Sequence, residues 1–226
     1  MIVSKPIILL GDCLDILPGI PDNGVELCLI DPPYFDYQTH HRKDKDSKLS
    51  KSLVQQTRQE QIQTVHECIR TLKDGSAFFF FTNWQEAWWF QERFASFLRN
   101  EIIWNKGNWT AGDLEGSLAN IYEVIFLGTK GKGWKYNGGR IHDIWEIARV
   151  GTKRVHPTEK PVELYTKIIE LATKEGDLII DPYVGSGSSA EAAVLTGRNF
   201  IGTDKDKDYC EIAIRRVEEV WKNKYP

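Results

Sequence analysis

The segment LIDPPYFDYQ, residues 29–38, ends an apolar run with a carboxylate, two prolines and an aromatic ring. Two consecutive prolines end a strand, remove two backbone donors and restrain two φ angles. A rigid turn with Asp31 as its capping residue would explain part of this pattern. The whole combination predicts more, namely that the Asp31 carboxylate, the Pro32 carbonyl, which Pro33 orients, and the Tyr34 ring are held at a sheet edge to bind something.

A second candidate site lies in LIIDPYVGSGSS, residues 178–189. Here a strand leads to Asp181, and a loop with Gly185 and Gly187 opens a helix. Glycines let the backbone approach a ligand closely, and a helix N-terminus presents free N–H groups to negative charge. The next strand, FIGTD, ends at Asp204, where an acid in a doubly wound sheet can bind ribose hydroxyls. The loop lacks the Gly-Lys-Ser/Thr ending of a P-loop, and Gly-Ser-Gly alone is equally typical of an ordinary turn. Together with Asp181 before it and Asp204 one βα unit later, it predicts a nucleoside cofactor.

These side chains need a scaffold that brings them to one edge. Short apolar runs alternate with helical patterns, which predicts an α/β fold with a mostly parallel sheet. The candidate strands are IILL (7–10), VELCLI (25–30), AFFFFT (77–82), EIIW (101–104), YEVIFL (122–127), DLII (177–180) and NFIGT (199–203), and the predicted helices cover 53–73, 84–98, 161–174, 188–197 and 206–223.

Taken together, the motifs resemble those of the S-adenosylmethionine-dependent DNA amino-methyltransferases, which methylate adenine N6 or cytosine N4. DPPY (31–34) is similar to the family's catalytic motif, and DPYVGSGSS (181–189) to its Asp-Pro-Phe-x-Gly-Ser-Gly cofactor loop, with Tyr183 in place of Phe. The match covers most of the chain, and the joint order of the motifs is far more specific than any one of them. The other similar segments are ILLGDCLDIL (8–17), EIIWNKGN (101–108), YEVIFLGTKGKG (122–133), HPTEKP (156–161) and IGTDKDKDYCEIAIRR (201–216), the last with Asp204 where Glu is common.

The resemblance implies roles for the matched residues. The implied catalytic residues are Asp31, Pro32, Pro33 and Tyr34. The implied cofactor-binding residues, for S-adenosyl-L-methionine, are Asp12, Cys13, Asp31, Thr158, Lys160, Asp181, Tyr183, Gly185, Ser186, Gly187, Asp204 and Lys205.

The order of the motifs also carries information about the fold. The catalytic motif precedes the cofactor loop, which resembles the family's circularly permuted, beta-type arrangement. The resemblance then implies a doubly wound, Rossmann-like sheet of seven strands in the order 3-2-1-4-5-7-6, with strand 7 antiparallel. In that order the strands that end at Asp181 and Asp31 are neighbours, so the methyl donor and DPPY would share one crevice where the strand order reverses.

The chemistry explains the residue types of the catalytic motif. The exocyclic amino nitrogen of adenine is a poor nucleophile because its lone pair is delocalised into the ring. Two acceptors, the Asp31 carboxylate and the Pro32 carbonyl, would localise that lone pair before direct in-line transfer. Tyr34 would stack on the base, and the resemblance implies that the base is flipped out of the duplex. The family's cytosine-amino members usually carry Ser in place of the first Asp, so Asp31 favours adenine.

We expect one methyltransferase domain over residues 1–226, with a charged loop at 36–52 and a small target-recognition region inserted at about 105–155. Charged loops are usually solvated, whereas long Gly-, Trp- and Lys-rich loops in compact domains tend to be functional. Basic residues interleaved with Trp134 and Tyr136 form a candidate DNA-contact surface, although a plain solvated loop is nearly as good an interpretation. The candidate DNA-binding residues are Lys130, Lys132, Lys135, Arg140, Lys153 and Arg154.

Composition narrows the class of protein further. A net charge of −3 argues against a generally basic nucleic-acid coat but allows a local basic patch. Four scattered cysteines without a CxxC pair indicate reduced thiols and a cytoplasmic location. The family resemblance implies that the cell is prokaryotic or a phage-infected host. No apolar run is long enough to cross a bilayer, so no membrane association is expected. His40 and His41 are adjacent in a charged loop without nearby ligands, and no metal site is predicted.

Three functions remain open at this point. The first is a DNA adenine methyltransferase that acts on double-stranded DNA. The second keeps the chemistry but changes the target to cytosine N4 or to adenine in RNA. The third is a catalytically silent nucleic-acid-binding relative, against which the intact DPPY and Gly-Ser-Gly motifs argue. Because the segment between the motifs is short, we predict a short DNA target or help from a second subunit, as in a homodimer. The recognition sequence and the existence of a cognate restriction enzyme are left open.

Overall fold

The computed structural model describes residues 3–34, 56–107, 116, 118–151 and 159–226. Within these ranges eight strands form one sheet, and six helices pack against it. None of these helices combines the length and the apolar character needed to span a membrane. The strands are β1 (Ile7–Leu10), β2 (Val25–Ile30), β3 (Leu72–Thr82), β4 (Leu98–Asn105), β5 (Tyr122–Thr129), β6 (Ile144–Glu146), β7 (Leu178–Asp181) and β8 (Asn199–Asp204), and the helices are α1 (Cys13–Ile16), α2 (Arg58–Thr71), α3 (Trp84–Phe94), α4 (Val162–Ala172), α5 (Ser188–Thr196) and α6 (Lys207–Lys224).

The strands lie in the order β1-β8-β7-β2-β3-β5-β4-β6. Strand β5 is antiparallel to its neighbours β3 and β4, whereas the other neighbouring strands are parallel. The first seven positions confirm the predicted order 3-2-1-4-5-7-6 and its antiparallel strand. Strand β6 is an eighth strand that the sequence analysis does not predict, because three residues are too few for a recognisable alternation.

The core has two apolar layers, one on each face of the sheet, and the run of phenylalanines in β3 contributes to both. Phe78 and Phe80 pack with α2 and α3, whereas Phe79 and Phe81 pack with α4. Successive side chains of a strand point to opposite faces, so a fully apolar run is expected in a strand that is covered on both sides. The ring of Phe80 stacks on Phe90 of α3 with centroids 3.7 Å apart.

Local signals determine where the helices begin. Thr57 and Glu60 form a capping box at the start of α2, with the Thr57 hydroxyl accepting from the Glu60 N–H at 3.2 Å. Asn83 caps α3 in a similar way, since its side chain accepts from the Glu86 N–H at 2.9 Å. The five predicted helices are confirmed to within a few residues where the structure describes them, and the short helix α1 is an addition.

The order of the strands reverses between β7 and β2. These two strands are parallel, with Leu27 paired to Ile179 and Cys28 to Ile180. Their carboxyl ends therefore lie side by side, which places Asp31 beside Asp181 although 150 positions separate them in the chain. Open α/β sheets bind ligands outside the carboxyl ends of the strands at such a point.

Candidate active site

A crevice of about 1000 Å³, partly open to solvent, lies at this point of the sheet. Its walls come from the loops that follow β1, β2, β7 and β8, and from the residues that lead into α4. Eleven of the predicted site residues line it, namely Cys13, Asp31, Pro32, Pro33, Tyr34, Lys160, Tyr183, Gly185, Ser186, Asp204 and Lys205.

The Asp31 carboxylate is paired with Lys160 inside this crevice. The Lys160 ammonium donates to Oδ1 of Asp31 at 2.9 Å and to Oδ2 at 2.8 Å, and the Lys160 side chain is only 4% exposed. Burial raises the pKa of Asp31, and Lys160 opposes that rise. Burial alone would lower the pKa of Lys160, but the carboxylates of Asp31 and Glu123 reverse the effect and raise it. The predicted cofactor residue Lys160 thus contacts the catalytic motif directly.

Glu123 of β5 joins the same charged group. Its Oε2 atom accepts from the Tyr34 hydroxyl at 2.7 Å and lies 3.4 Å from the Lys160 ammonium, and its Oε1 atom lies 3.2 Å from the Lys106 ammonium. Burial works to raise the pKa of Glu123, but the two lysines and the Tyr34 hydroxyl outweigh it and lower the pKa. Neither Glu123 nor Lys106 is among the residues predicted from the sequence. The one local sign of Glu123 is that it is a single acid inside the apolar run YEVIFL.

The peptide after Pro33 is held from α2. The buried Gln61 side chain donates through Nε2 to the Pro33 carbonyl at 2.8 Å. This bond fixes the direction of the Pro33 carbonyl and so restrains the end of the motif. Gln61 is a further residue that sequence reasoning missed, because nothing in its local sequence marks it.

The glycine loop is positioned by Asp204. One oxygen of the Asp204 carboxylate accepts from the Gly185 N–H at 2.9 Å, and the other accepts from the Asp206 N–H at 2.8 Å. Burial raises the pKa of Asp204, although the backbone donors oppose the rise. Each carboxylate oxygen has more than one lone pair, so both can accept a further hydrogen bond from a hydroxyl in the crevice.

Two predicted cofactor residues, Asp181 and Gly187, do not line the crevice. Asp181 is 1% exposed, and its carboxylate accepts from the Ser189 hydroxyl at 2.6 Å and the Tyr183 N–H at 2.8 Å. Gly187 has φ +87°, and a Cβ there would meet the backbone and Cβ of Ala213 in α6 at 2.9 Å. Both residues thus support the glycine loop from behind the lining of the crevice. Burial raises the pKa of Asp181 to about 7.

On the other side of the crevice, Asp12 also lies just behind the lining. Its carboxylate caps α1 by accepting from the Leu14 N–H at 3.0 Å and forms an ion pair with Lys205 at 2.7 Å. Burial tends to raise the pKa of Asp12, but Lys205 and the Leu14 N–H outweigh it, so the pKa is lowered.

Tyr183 is held by its hydroxyl, which donates to Gln56 Oε1 at 2.7 Å.

Arg216 of α6 links the glycine loop to the segment that carries Lys160. Its guanidinium donates to the Ser186 carbonyl at 3.1 Å and the Ser188 hydroxyl at 3.0 Å. The same group pairs with Glu159 at 2.7 Å and with Glu191 at 2.6 Å. Planar guanidinium groups suit such multiple contacts, so Arg216 connects two walls of the crevice.

Two of the candidate DNA-contact residues, Lys130 and Lys132, lie at the opposite edge of the sheet. Lys130 donates to the carbonyls of Arg70 and Leu72 at 2.9 and 2.8 Å, and so caps the end of α2. Because Thr129 pairs with Ala77, at the amino-terminal side of the β3 pairing, the turn after β5 points away from the crevice. The proposed contacts of Lys130, Lys132, Lys135 and Arg140 with DNA stay a prediction that this placement does not favour.

The remaining predictions fall outside the described residues. These are Thr158, Lys153, Arg154, His40, His41 and the charged loop 36–52. In the part of the chain that the structure describes, no three His, Cys, Asp or Glu side chains are grouped to hold a metal ion.

Comparison with known proteins places this geometry among methyltransferases. A family model described as "DNA methylase" (N6_N4_Mtase) matches residues 25–215. The type II methyltransferase M2.MboI of Moraxella bovis is 28% identical, over 93% of this chain and 86% of its own length. The structure of the M1.HpyAVI–SAM complex aligns with a TM-score of 0.73, at 20% identity over 94% of this chain and 98% of that one. The cytosine-N4-specific PvuII DNA methyltransferase aligns with a TM-score of 0.79, at 13% identity over 98% and 93%. At these identities the two structures show the shared fold.

Proposed function

This chain belongs to the N6/N4 DNA methylase family, and from that premise we propose that it methylates the exocyclic amino group of adenine in double-stranded DNA. It is a DNA methyltransferase that uses S-adenosylmethionine. The observation that carries the proposed amino-group methylation is the placement of Asp31, Pro32 and Tyr34 in one crevice with the glycine loop and Asp204.

The residues of the crevice fit the methyl donor. Its lining combines apolar and aromatic side chains with a few polar groups, as is typical of sites for small organic ligands. Asp204 presents a carboxylate with free acceptor capacity to ribose hydroxyls, and the N-terminus of α5 follows the loop at Gly185. When bound, S-adenosylmethionine supplies an electrophilic methyl group. Arg216 and Asp204 would keep the loop in place around it.

The catalytic motif supplies the two acceptors that an amino group needs. Asp31 accepts one N–H and the Pro32 carbonyl accepts the other, so the nitrogen lone pair is localised and directed at the methyl group. Lys160 supports the ionised form of Asp31, which keeps the carboxylate an acceptor rather than a donor. Such prearranged acceptors stabilise the positive charge that develops on the nitrogen during transfer. The surplus proton then leaves to solvent, because a cationic amino group is acidic.

Asp31 also supports adenine over cytosine as the target. The cytosine-amino enzymes that this chain resembles usually carry Ser at the first position of the motif. The fold does not distinguish the two targets, since a cytosine-N4-specific enzyme shares it. A target base has to leave the duplex to reach the crevice, and Tyr34 offers a ring on which it can stack.

For DNA recognition we propose the two segments that start at the crevice edge of the sheet. The first follows Asn105 of β4, and the second follows Glu146 of β6. Both strands run toward the carboxyl edge of the sheet, so both segments begin near Lys106 and the catalytic motif. This assignment keeps the predicted region at 105–155 but leaves out the turn after β5, which starts at the other edge.

The proposal is tested by incubating the purified protein with S-adenosylmethionine labelled in its methyl group and, in separate reactions, unmethylated double-stranded DNA or RNA of mixed sequence. The digested nucleosides are then separated and identified by mass spectrometry. We expect labelled N6-methyldeoxyadenosine, and no label with the D31A variant, which should still bind the cofactor. Labelled N4-methyldeoxycytidine would overturn the choice of base, label only in an RNA substrate would overturn DNA as the target, and no transfer to either would overturn the activity.

A further inference from the structure

Glu123 occupies an unusual position for a carboxylate. It lies in β5, whose next six residues are all buried, and its own side chain is 16% exposed. Strand β5 starts at the crevice edge, because Val124 pairs with Thr82 at the end of β3. The side chain of Glu123 therefore reaches the catalytic motif from the strand that runs against all its neighbours.

The contacts of Glu123 join the two halves of the motif. Its Oε2 atom accepts the Tyr34 hydroxyl at 2.7 Å and also lies 3.4 Å from the Lys160 ammonium, which itself binds both oxygens of Asp31. Lys106 balances the remaining oxygen at 3.2 Å. Two carboxylates and two ammonium groups thus form a formally neutral, largely buried group beside the motif.

Stability alone does not explain this arrangement. A buried ion pair gains little over well-packed apolar residues of similar volume, because the cost of desolvation offsets the attraction between the charges. An apolar residue would also continue the apolar pattern of β5. The Glu123 carboxylate instead contacts both the Tyr34 hydroxyl and the Lys160 ammonium, so one group restrains the Tyr34 ring and the Lys160 side chain together.

We propose that Glu123 is a positioning residue for methyl transfer, which holds the base-stacking ring of Tyr34 and, through Lys160, the acceptor Asp31 in one geometry. The proposal rests on the proposed function and deepens it. Glu123 does not need to touch the target base or the methyl donor. Its loss should therefore lower the rate of transfer and leave the affinity for S-adenosylmethionine unchanged.

The main test compares E123Q with the wild type. The glutamine keeps the volume and can still accept from the Tyr34 hydroxyl, but it removes the negative charge. We expect kcat to fall by about 10- to 100-fold, in line with the loss of charge-assisted hydrogen bonds. The Kd for S-adenosylmethionine, measured by calorimetry, should not change. The matched control is E101Q, which alters an exposed glutamate of β4 and should behave as the wild type.

The pH profile separates positioning from a purely structural role. The negative charge of Glu123 raises the pKa of Asp31, so its removal should move the acid limb of kcat to lower pH. A variant that is merely less stable would keep the wild-type limb, and its melting temperature would fall. The change Y34F removes only the hydroxyl, and its effect should be non-additive with that of E123Q, since E123Q removes the charge on the same hydrogen bond that Y34F eliminates.

Each outcome decides a different point. A wild-type protein that transfers no methyl group to DNA would overturn the proposed function and this inference with it. An active wild type with an equally active E123Q variant would overturn the inference alone. The same holds for a slower E123Q variant whose acid limb is unmoved and whose effect adds to that of Y34F.

Discussion

Replacing Lys160 by Met would leave the Asp31 carboxylate without its counter-charge in a site that is largely closed to water. The Asp31 side chain is 14% exposed, and both of its oxygens accept from Lys160, at 2.8 and 2.9 Å. The methionine side chain fills similar space, so the change removes charge and donors more than volume. Glu123 would remain in the site and add repulsion between two carboxylates.

The size of the effect follows from the burial of the pair. Removing one partner of a buried ion pair costs about 3–5 kcal/mol. One pH unit corresponds to 1.36 kcal/mol, so a site that relieves this cost by taking up a proton would move the acid limb of kcat/KM upward by about two units or more. The sign is fixed by chemistry, because the ionised Asp31 is the form that accepts the amino group. Its pKa rises in the variant, so activity is lost at a higher pH than in the wild type and returns as the pH is raised.

The assay is methyl transfer to unmethylated double-stranded DNA over a range of pH, with kcat/KM measured at each point. The matched control is K174M, which alters an exposed lysine shortly after α4 and should keep the wild-type profile. Thermal unfolding of both variants checks that they are folded at the assay temperature. A folded K160M variant with an unshifted acid limb, or one shifted to lower pH, would refute the role assigned to Lys160.

Three further changes test other parts of the site. R216Q should weaken S-adenosylmethionine binding about tenfold, which corresponds to roughly one lost hydrogen bond to a charged group. The Kd is measured by calorimetry, and an unchanged Kd would refute the role of Arg216 in connecting the two walls of the crevice. D181N should reduce the loss of stability as the pH rises from about 4 toward 7, because burial raises the pKa of Asp181 to about 7 and its ionisation then destabilises the wild type. Parallel urea-unfolding curves for the two proteins across that range would contradict this. The double variant K132A/K135A should bind DNA with wild-type affinity, since both lysines lie in the loop between β5 and β6, away from the crevice; a weaker, less salt-dependent affinity would contradict it.

Much of the fold was accessible from local patterns. Strand β3 was predicted in part from the apolar run AFFFFT, and α2 from the helical pattern over 53–73, whereas the capping box at Thr57 that begins α2 was found only in the structure. The order of the strands was accessible through the order of the motifs and the family they resemble. The register between β3 and β5 could not be predicted from the sequence. It places the turn that carries Lys130 at the edge of the sheet away from the crevice.

The site divides in the same way. By itself, the sequence predicted that DPPY, the glycine loop and Asp204 lie at one edge, because each follows an apolar strand, and the family that the motifs resemble implied that this edge is a methyltransferase site. Only the tertiary structure decided that Asp181 lies beneath the loop and that Lys160 binds Asp31. It also brought Glu123 to the motif, since side chains far apart in the chain meet through sheet register and side-chain direction, and neither quantity is written in a local run of residues.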